Sequence, residues 1–256
     1  MKPITNSDTF LSRGTPCQSS DQNVINRAKV ILEEIQKKPG NLISLDSGCG
    51  YGAYLHVLAT QSLSVYAIDI DRSFLNQARL NNPHLTNLYI SQASLENIGF
   101  SSSKFDFIIC IETLEHIAND EAVIAEFKRI LKPCGSLIIS VPYKWFPYET
   151  HGIRIGNRRL SSLLGLGFPL LTFLPEKIRR YFATARVYSR KQIIGMLRRN
   201  GFTDFRVVFL MPGLDNFERK SRSKFFAAFL RKFLSFAQNL FIHHWGSTII
   251  VITNLN

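Results

Sequence analysis

Leu42-Ile43-Ser44-Leu45-Asp46-Ser47-Gly48-Cys49-Gly50-Tyr51-Gly52-Ala53-Tyr54 reads as a buried strand that ends on an acid and turns through three alternating glycines into a helix. Glycine in such a turn allows positive φ and leaves room for a ligand against the main chain. The free N–H groups of the following helix then face the same spot. This is the construction of a nucleotide-type cofactor loop at the carboxyl end of the first strand of a doubly wound sheet. Two details refine the ligand. The spacing is G-x-G-x-G rather than the G-x-G-x-x-G that seats a dinucleotide pyrophosphate, and the acid just before the loop repels phosphate. Both favour a nucleoside with a cationic or zwitterionic tail.

Further elements follow at regular intervals. Val65-Tyr66-Ala67-Ile68-Asp69-Ile70-Asp71 is a short β-branched run ending in carboxylates, about twenty residues on, where one acid can accept from both hydroxyls of a ribose. Asp71 reads as the N-cap of a helix over 72–81. Ala93-Ser94-Leu95-Glu96 precedes the strand Phe105-Asp106-Phe107-Ile108-Ile109-Cys110, and Ile111-Glu112-Thr113-Leu114-Glu115-His116-Ile117 follows it.

Together these stretches resemble the class I S-adenosylmethionine-dependent methyltransferases, whose first motif has the form LDxGCGxG. The likeness is to the type-11 group and the ubiquinone-biosynthesis O-methyltransferases; it is specific over about 24–142 and loose beyond. It implies a Rossmann-like doubly wound α/β sheet of seven strands ending in an antiparallel pair. It also implies methyl transfer from S-adenosyl-L-methionine. By the resemblance, Asp46, Gly48, Cys49, Gly50 and Gly52 hold the methionine end, Asp69 the ribose, Ile70 packs on the adenine, Ser94 and Leu95 serve the ring, and Ile111 borders the cofactor. The family commonly has Asp at the position of Ser94, so the adenine contact here lacks a charge.

The E-x-x-E-H run Glu112, Glu115, His116 matches a segment that holds a divalent metal beside the acceptor hydroxyl in the ubiquinone-biosynthesis and small-RNA 2′-O-methyltransferases. On a helical turn the three share one face, and carboxylates with an imidazole suit Mg2+ or Mn2+. The other reading is that the run lies near the cofactor with no metal, as in many relatives. His116 is the candidate for activating the acceptor, and His151, beyond the fifth strand, is the second candidate and a possible fourth ligand. No Asn/Asp-Pro-Pro-Tyr motif follows strand four, against base-amino and glutamine methylation.

Charge divides the chain. Of the formal balance of +12, residues 1–150 hold 13 Lys and Arg against 15 Asp and Glu, whereas residues 151–256 hold 18 against 4. The basic half implies an anionic partner, either an anionic membrane surface or RNA. No run approaches the length of a spanning helix. The start, Met1 to Asp21, lacks a signal-like apolar core, and Cys17, Cys49, Cys110 and Cys134 show no metal spacing, which fits a reducing cytosol. A cytoplasmic protein with peripheral membrane contact is expected.

The organisation read from the chain is a flexible arm over 1–22 and one domain over 23–256 with two helical insertions. Expected elements are helices at 23–37, 51–60, 72–81, 120–131 and 190–200, and strands at 42–46, 64–69, 87–91, 105–111, 136–141, 205–210 and 248–253. The first insertion, 143–188, is expected to act as a lid over the acceptor and carries the apolar run Leu163 to Leu174. The second, 213–245, reads as a basic amphipathic helix with an aromatic face, suited to an anionic bilayer or packed on the sheet. Three functions remain on this reading: O-methylation of a lipid-like, prenylated or lipid-linked glycan acceptor at a membrane, methylation of RNA through the basic half, or cofactor binding without catalysis.

Overall fold

The computed structural model describes residues 21–149, 151–155, 158–160, 168–179, 181–212 and 246–255. Residues 1–20 of the expected arm and the insertion 213–245 lie outside the described residues. The frame is a seven-stranded sheet of β1 (Leu42–Ser47), β2 (Ser62–Asp69), β3 (Leu88–Gln92), β4 (Phe105–Ile111), β5 (Leu131–Pro142), and two late strands, β10 (Phe202–Leu210) and β11 (Thr248–Leu255). Their order is β10-β11-β5-β4-β1-β2-β3. Pairing is parallel from β5 across to β3, while β11 is antiparallel to both β5 and β10.

The parallel strands are apolar on both sides because helices cover both faces. On one face Leu45, Ile108, Leu137 and Val251 pack with Phe127 of α4 (Asp120–Ile130) and Leu197 of α6 (Arg190–Arg199). On the other, Ala67, Ile109 and Ile250 pack with Ile31 of α1 (Gln22–Ile35), Leu58 of α2 (Leu55–Ala59) and Ala78 of α3 (Arg72–Asn81). Asp71 caps α3 as expected, its carboxylate accepting from Ser73 N at 2.9 Å.

Three local readings change. The helix expected from 51 begins only at Leu55, because Gly52 at φ +77° cannot continue a helical turn back to the loop. The stretch Lys132-Pro133-Cys134-Gly135, between the helix expected at 120–131 and the strand expected at 136–141, lies inside β5 as a bulge with Cys134 at φ +60°. And the described part of the first insertion is not mainly helical. It consists of the strand pairs β6 (Tyr148–Glu149) with β9 (Phe168–Pro169) and β7 (Ile153–Ile155) with β8 (Arg158–Leu160), a 3-10 turn at Leu171–Phe173 and one helical turn, α5 (Glu176–Arg179).

Candidate active site

Asp46, the glycine loop and Asp69 meet where β1 and β2 end side by side, with Asp46 opposite Ala67 in the register. Gly48, Gly50 and Gly52 all take positive φ, at +79°, +52° and +77°. The loop is tied down by its own amides: Gly48 N and Cys49 N donate to Ile68 O at 2.8 and 3.0 Å. Asp69 organises the rest. Its carboxylate accepts from Gly50 N at 3.0 Å and from Asp71 N at 2.9 Å, which fixes it at the loop with lone pairs to spare for hydroxyl donors. Gly48 is also pressed against the strand-four side of the site: a β-carbon there would come within 2.3 Å of Thr113 Cγ2. Thr113 Oγ1 in turn donates to Gly48 O at 3.3 Å.

Asp46 is buried, and its Oδ2 meets no hydrogen-bond donor. Burial, with the Asp69 charge adding to it, pushes its carboxyl up to about 8. A buried carboxylate oxygen without a donor is a costly arrangement in the protein alone. A cationic group beside it would relieve that cost, and the amino end of S-adenosylmethionine is such a group. The orphaned oxygen and the glycine turn therefore fit this cofactor. Ile70 is exposed beyond Asp69, and Ala93 N donates to Asp69 O at 3.1 Å, which brings Ser94 alongside. Ser94 Oγ accepts from Glu96 N at 3.3 Å, while the side chains of Leu95, Cys49 and Ile111 are buried.

The E-x-x-E-H run departs from the expected helical face. Glu112 N still donates to Ser140 O of β5 at 2.9 Å, so the chain leaves the sheet only after it. Glu112 itself is at φ +51°, and only a 3-10 turn, Leu114–His116, follows. Its carboxylate takes a bond from Ser140 Oγ at 2.7 Å and pairs with Arg27 of α1 at 3.1 Å. The groups that do converge are Glu115, His116 and His151, each offering a ligand atom within 4.8 Å of the others.

His151 lies between two carboxylates, 3.4 Å from Glu115 and 3.6 Å from Glu112. Burial disfavours its charged form, but the two carboxylates outweigh that and raise it to about 10. Burial and then the Glu112 charge push Glu115 up to about 7. Glu112 goes the other way: burial opposes its ionisation, yet Arg27 and His151 bring it down to about 2. The cluster is thus partly neutralised from within by Arg27 and His151. With Glu112 engaged by Arg27 and Ser140, one carboxylate and two imidazoles remain, which is nitrogen-rich for magnesium. These residues do not make the oxygen-rich set that the E-x-x-E-H pattern implied.

His151 is delivered by the first insertion. Its backbone N donates to Glu149 Oε1 at 3.2 Å, and Glu149, 1% exposed, pairs with Arg179, 2% exposed, at 2.8 Å. Arg179 also donates to Ala185 O, and Arg186 N donates to Glu115 O at 3.1 Å. The insertion is therefore anchored to the E-x-x-E-H turn through buried charge. Sequence reading missed Arg27, Ser140, Glu149 and Arg179. Only Arg27 carried a signal, as an arginine within the apolar stripe of α1 between Val24 and Ile31.

A parallel sheet that reverses into an antiparallel pair, with a glycine loop after β1 and an acid after β2, defines the class I S-adenosylmethionine-dependent methyltransferases. Residues 45–139 match the family model described as a methyltransferase domain. It is 30% identical over 143 residues to a ubiquinone biosynthesis O-methyltransferase of Coxiella burnetii, covering 55% of this chain and 59% of that one. It is 34% identical over 125 residues to 24-methylenesterol C-methyltransferase 2 of Arabidopsis thaliana, covering 47% of this chain and 34% of that one. The chain thus spans less than two thirds of the length of these relatives. In fold, it resembles an S-adenosylmethionine dependent methyltransferase from Mesorhizobium loti, with a TM-score of 0.61 and 17% identity over 90% of this chain and 99% of that one.

Proposed function

We propose that the protein transfers a methyl group from S-adenosylmethionine to a hydroxyl of a lipid-like, prenylated or lipid-linked glycan acceptor at a membrane surface. The observation that carries the reading is the convergence of Glu115, His116 and His151 beside the loop that Asp69 and Asp46 frame. When bound, the cofactor supplies a methyl group on a sulfonium leaving group. Asp46 and the Gly48–Gly52 loop take its amino-acid end, Asp69 the ribose diol, and Ile70, Ser94 and Leu95 the base.

The remaining task is to place the hydroxyl oxygen in line with the methyl carbon and remove its proton. His116 takes that proton. Glu115 Oε1 stands 3.9 Å from His116 Nε2 and offers the counter-charge that the resulting imidazolium requires. His151, raised to about 10 between its two carboxylates, already holds a proton near neutral pH and stands by as a cation rather than as a second base. As the oxygen–carbon bond forms and the carbon–sulfur bond breaks, the products are the methyl ether, S-adenosylhomocysteine and a proton on the histidine. No step needs a metal, and the Arg27 guanidinium on Glu112 disfavours a dication there.

The acceptor class draws on the insertion's surface. Trp145 is 51% exposed and Leu170 64% exposed, with Phe173 and Ile178 also exposed nearby in sequence. Trp145 and Phe173 lie with ring centroids 6.1 Å apart. Two of the relatives are named for ubiquinone biosynthesis and for a methylenesterol, both apolar molecules. Among the described residues no helix is long and apolar enough to cross a membrane, so the contact would be made at the surface.

The test is transfer of radiolabelled methyl from S-adenosylmethionine into separate lipid and RNA fractions. Label in the lipid fraction, reduced at least about a hundredfold by His116→Ala with unchanged S-adenosylhomocysteine affinity, is expected. Label confined to RNA would overturn the acceptor class, and full activity of His116→Ala would overturn the assignment of the base.

A further inference from the structure

A second recess adjoins the E-x-x-E-H turn and belongs to none of the cofactor contacts. It is a cavity of about 990 Å³, walled by Ala118–Asp120 on one side, Lys144 and Arg186–Tyr188 on another, and Lys191 and Arg199 of α6 on the third. Its position follows from the fold. Ala118 comes two residues after His116, and Lys144 comes two after the end of β5, so the recess opens at the same edge of the sheet as the proposed methyl-transfer site.

The charges around it are unequal and differently engaged. Of the two acids in the wall, Asp120 is taken by Arg186 at 3.0 Å and by Tyr188 Oη at 2.9 Å. Glu176 stands 3.4 Å from Arg179 Nε. Arg199 pairs with Glu121. Lys144 and Lys191 have no carboxylate partner among the described residues. The ammonium of Lys144 is 5.6 Å from the Trp145 ring centroid. Arg186 is held rigidly, donating to Ala118 O at 2.6 Å while its own N–H reaches Glu115 O.

The start of α6 adds an independent observation. Its first turn carries Arg190 and Lys191 and no acid, which sets cations against the positive end of the helix. The capping box of Ser189 and Gln192 satisfies part of that terminus and leaves the charge uncompensated. Cations at a helix N-terminus beside a roomy recess are unfavourable in the protein alone and favourable once an anion enters. A phosphoryl group, with several acceptor oxygens and a double charge, suits two mobile ammonium groups better than a carboxylate does.

We infer that this cavity binds a phosphate or diphosphate group, and that the acceptor carries it close to the hydroxyl to be methylated. That the anion belongs to the acceptor rests on the methyl-transfer reading; the affinity of the cavity for phosphoryl groups does not. The apolar residues of the insertion would then face the remainder of the same molecule.

The experiment is calorimetric titration of inorganic pyrophosphate into the full chain saturated with S-adenosylhomocysteine. Binding is expected, weakened about tenfold by Lys144→Gln and by Lys191→Gln, and unchanged by Lys29→Gln, an exposed lysine on α1. Sedimentation with vesicles containing phosphatidic acid separates the sources. Loss of vesicle binding in the same two variants assigns a lipid headgroup, and pyrophosphate binding without vesicle binding assigns a soluble phosphorylated acceptor. No pyrophosphate binding up to about 10 mM together with vesicle binding insensitive to both variants overturns the inference. So does equal weakening by Lys29→Gln, or a single-stranded RNA that binds equally well to all four proteins. Failure of S-adenosylhomocysteine to bind would instead remove the methyl-transfer reading and leave the pyrophosphate result to stand alone.

Discussion

The half of the chain that ends with β5 and the half that follows it reach the same sheet edge by opposite means. In the first, near-neutral half, long registered strands hold a glycine loop whose shape is set by backbone amides and three positive-φ glycines. Asp46 is buried at the end of β1, before that loop, with its Oδ2 lacking a hydrogen-bond donor. In the second, basic half, short strand pairs and a single helical turn are positioned by buried ion pairs, Arg179 with Glu149 and, across the sheet edge, His151 with Glu112 and Glu115. On the proposed function, a cofactor common to many enzymes would be met by backbone geometry. The acceptor, on the same proposal, would be met by side-chain charge, which can change without disturbing the sheet.

That contrast is most exposed to failure at Arg179. Arg179→Met leaves Glu149 buried without its cation and should cost about 3–5 kcal/mol in urea denaturation, whereas Arg179→Met with Glu149→Leu should recover most of the loss. A small effect of the single substitution would mean that charge does not hold the insertion in place.

The backbone side is tested by Gly48→Ala, which meets both positive φ and the Thr113 side chain. A loss of about 2–3 kcal/mol is expected. In a Thr113→Gly background, which removes Cβ as well, the steric part should go, leaving about 1–2 kcal/mol from φ alone. Equal costs in the two backgrounds would dissociate the loop from the strand-four side of the site.

Asp46 links stability to binding. Burial pushes its folded carboxyl up from the ordinary 3.8 to about 8. Between those values the folded chain keeps a proton that the unfolded chain has released, so stability falls as pH rises through that window. Asp46→Asn should therefore stabilise the cofactor-free protein by about 1–2 kcal/mol at pH 8, with little gain near pH 4, while weakening cofactor binding. Urea titrations at the two pH values check it. Destabilisation at pH 8 would mean that Asp46 has a partner in the protein itself.

The same division governs what could be read from the sequence. The seven-stranded sheet with its final antiparallel pair and the glycine turn were legible because a strand ending in an acid, alternating glycines and a second acid some twenty residues on are local patterns, and Asp71 caps α3 as expected. The later start of α2 was legible in principle from Gly52, whose positive φ interrupts the helical turn. The E-x-x-E-H run was misread as a helical face because nothing local announces that Glu112 remains bonded to Ser140 of β5. His151 was recognisable as a residue of interest. Its setting was not, since Glu149 and Arg179 lie thirty positions apart and meet only through the folding of the insertion.

The central claim is that Asp46, the glycine loop and Asp69 bind S-adenosylmethionine. Calorimetric titration of S-adenosylhomocysteine into the wild-type chain and into Asp69→Ala tests it most directly. Stoichiometric binding to the wild type, weakened about a hundredfold or more in Asp69→Ala, is the predicted result. Absence of binding to the wild type, or equal affinity in the two proteins, would contradict it.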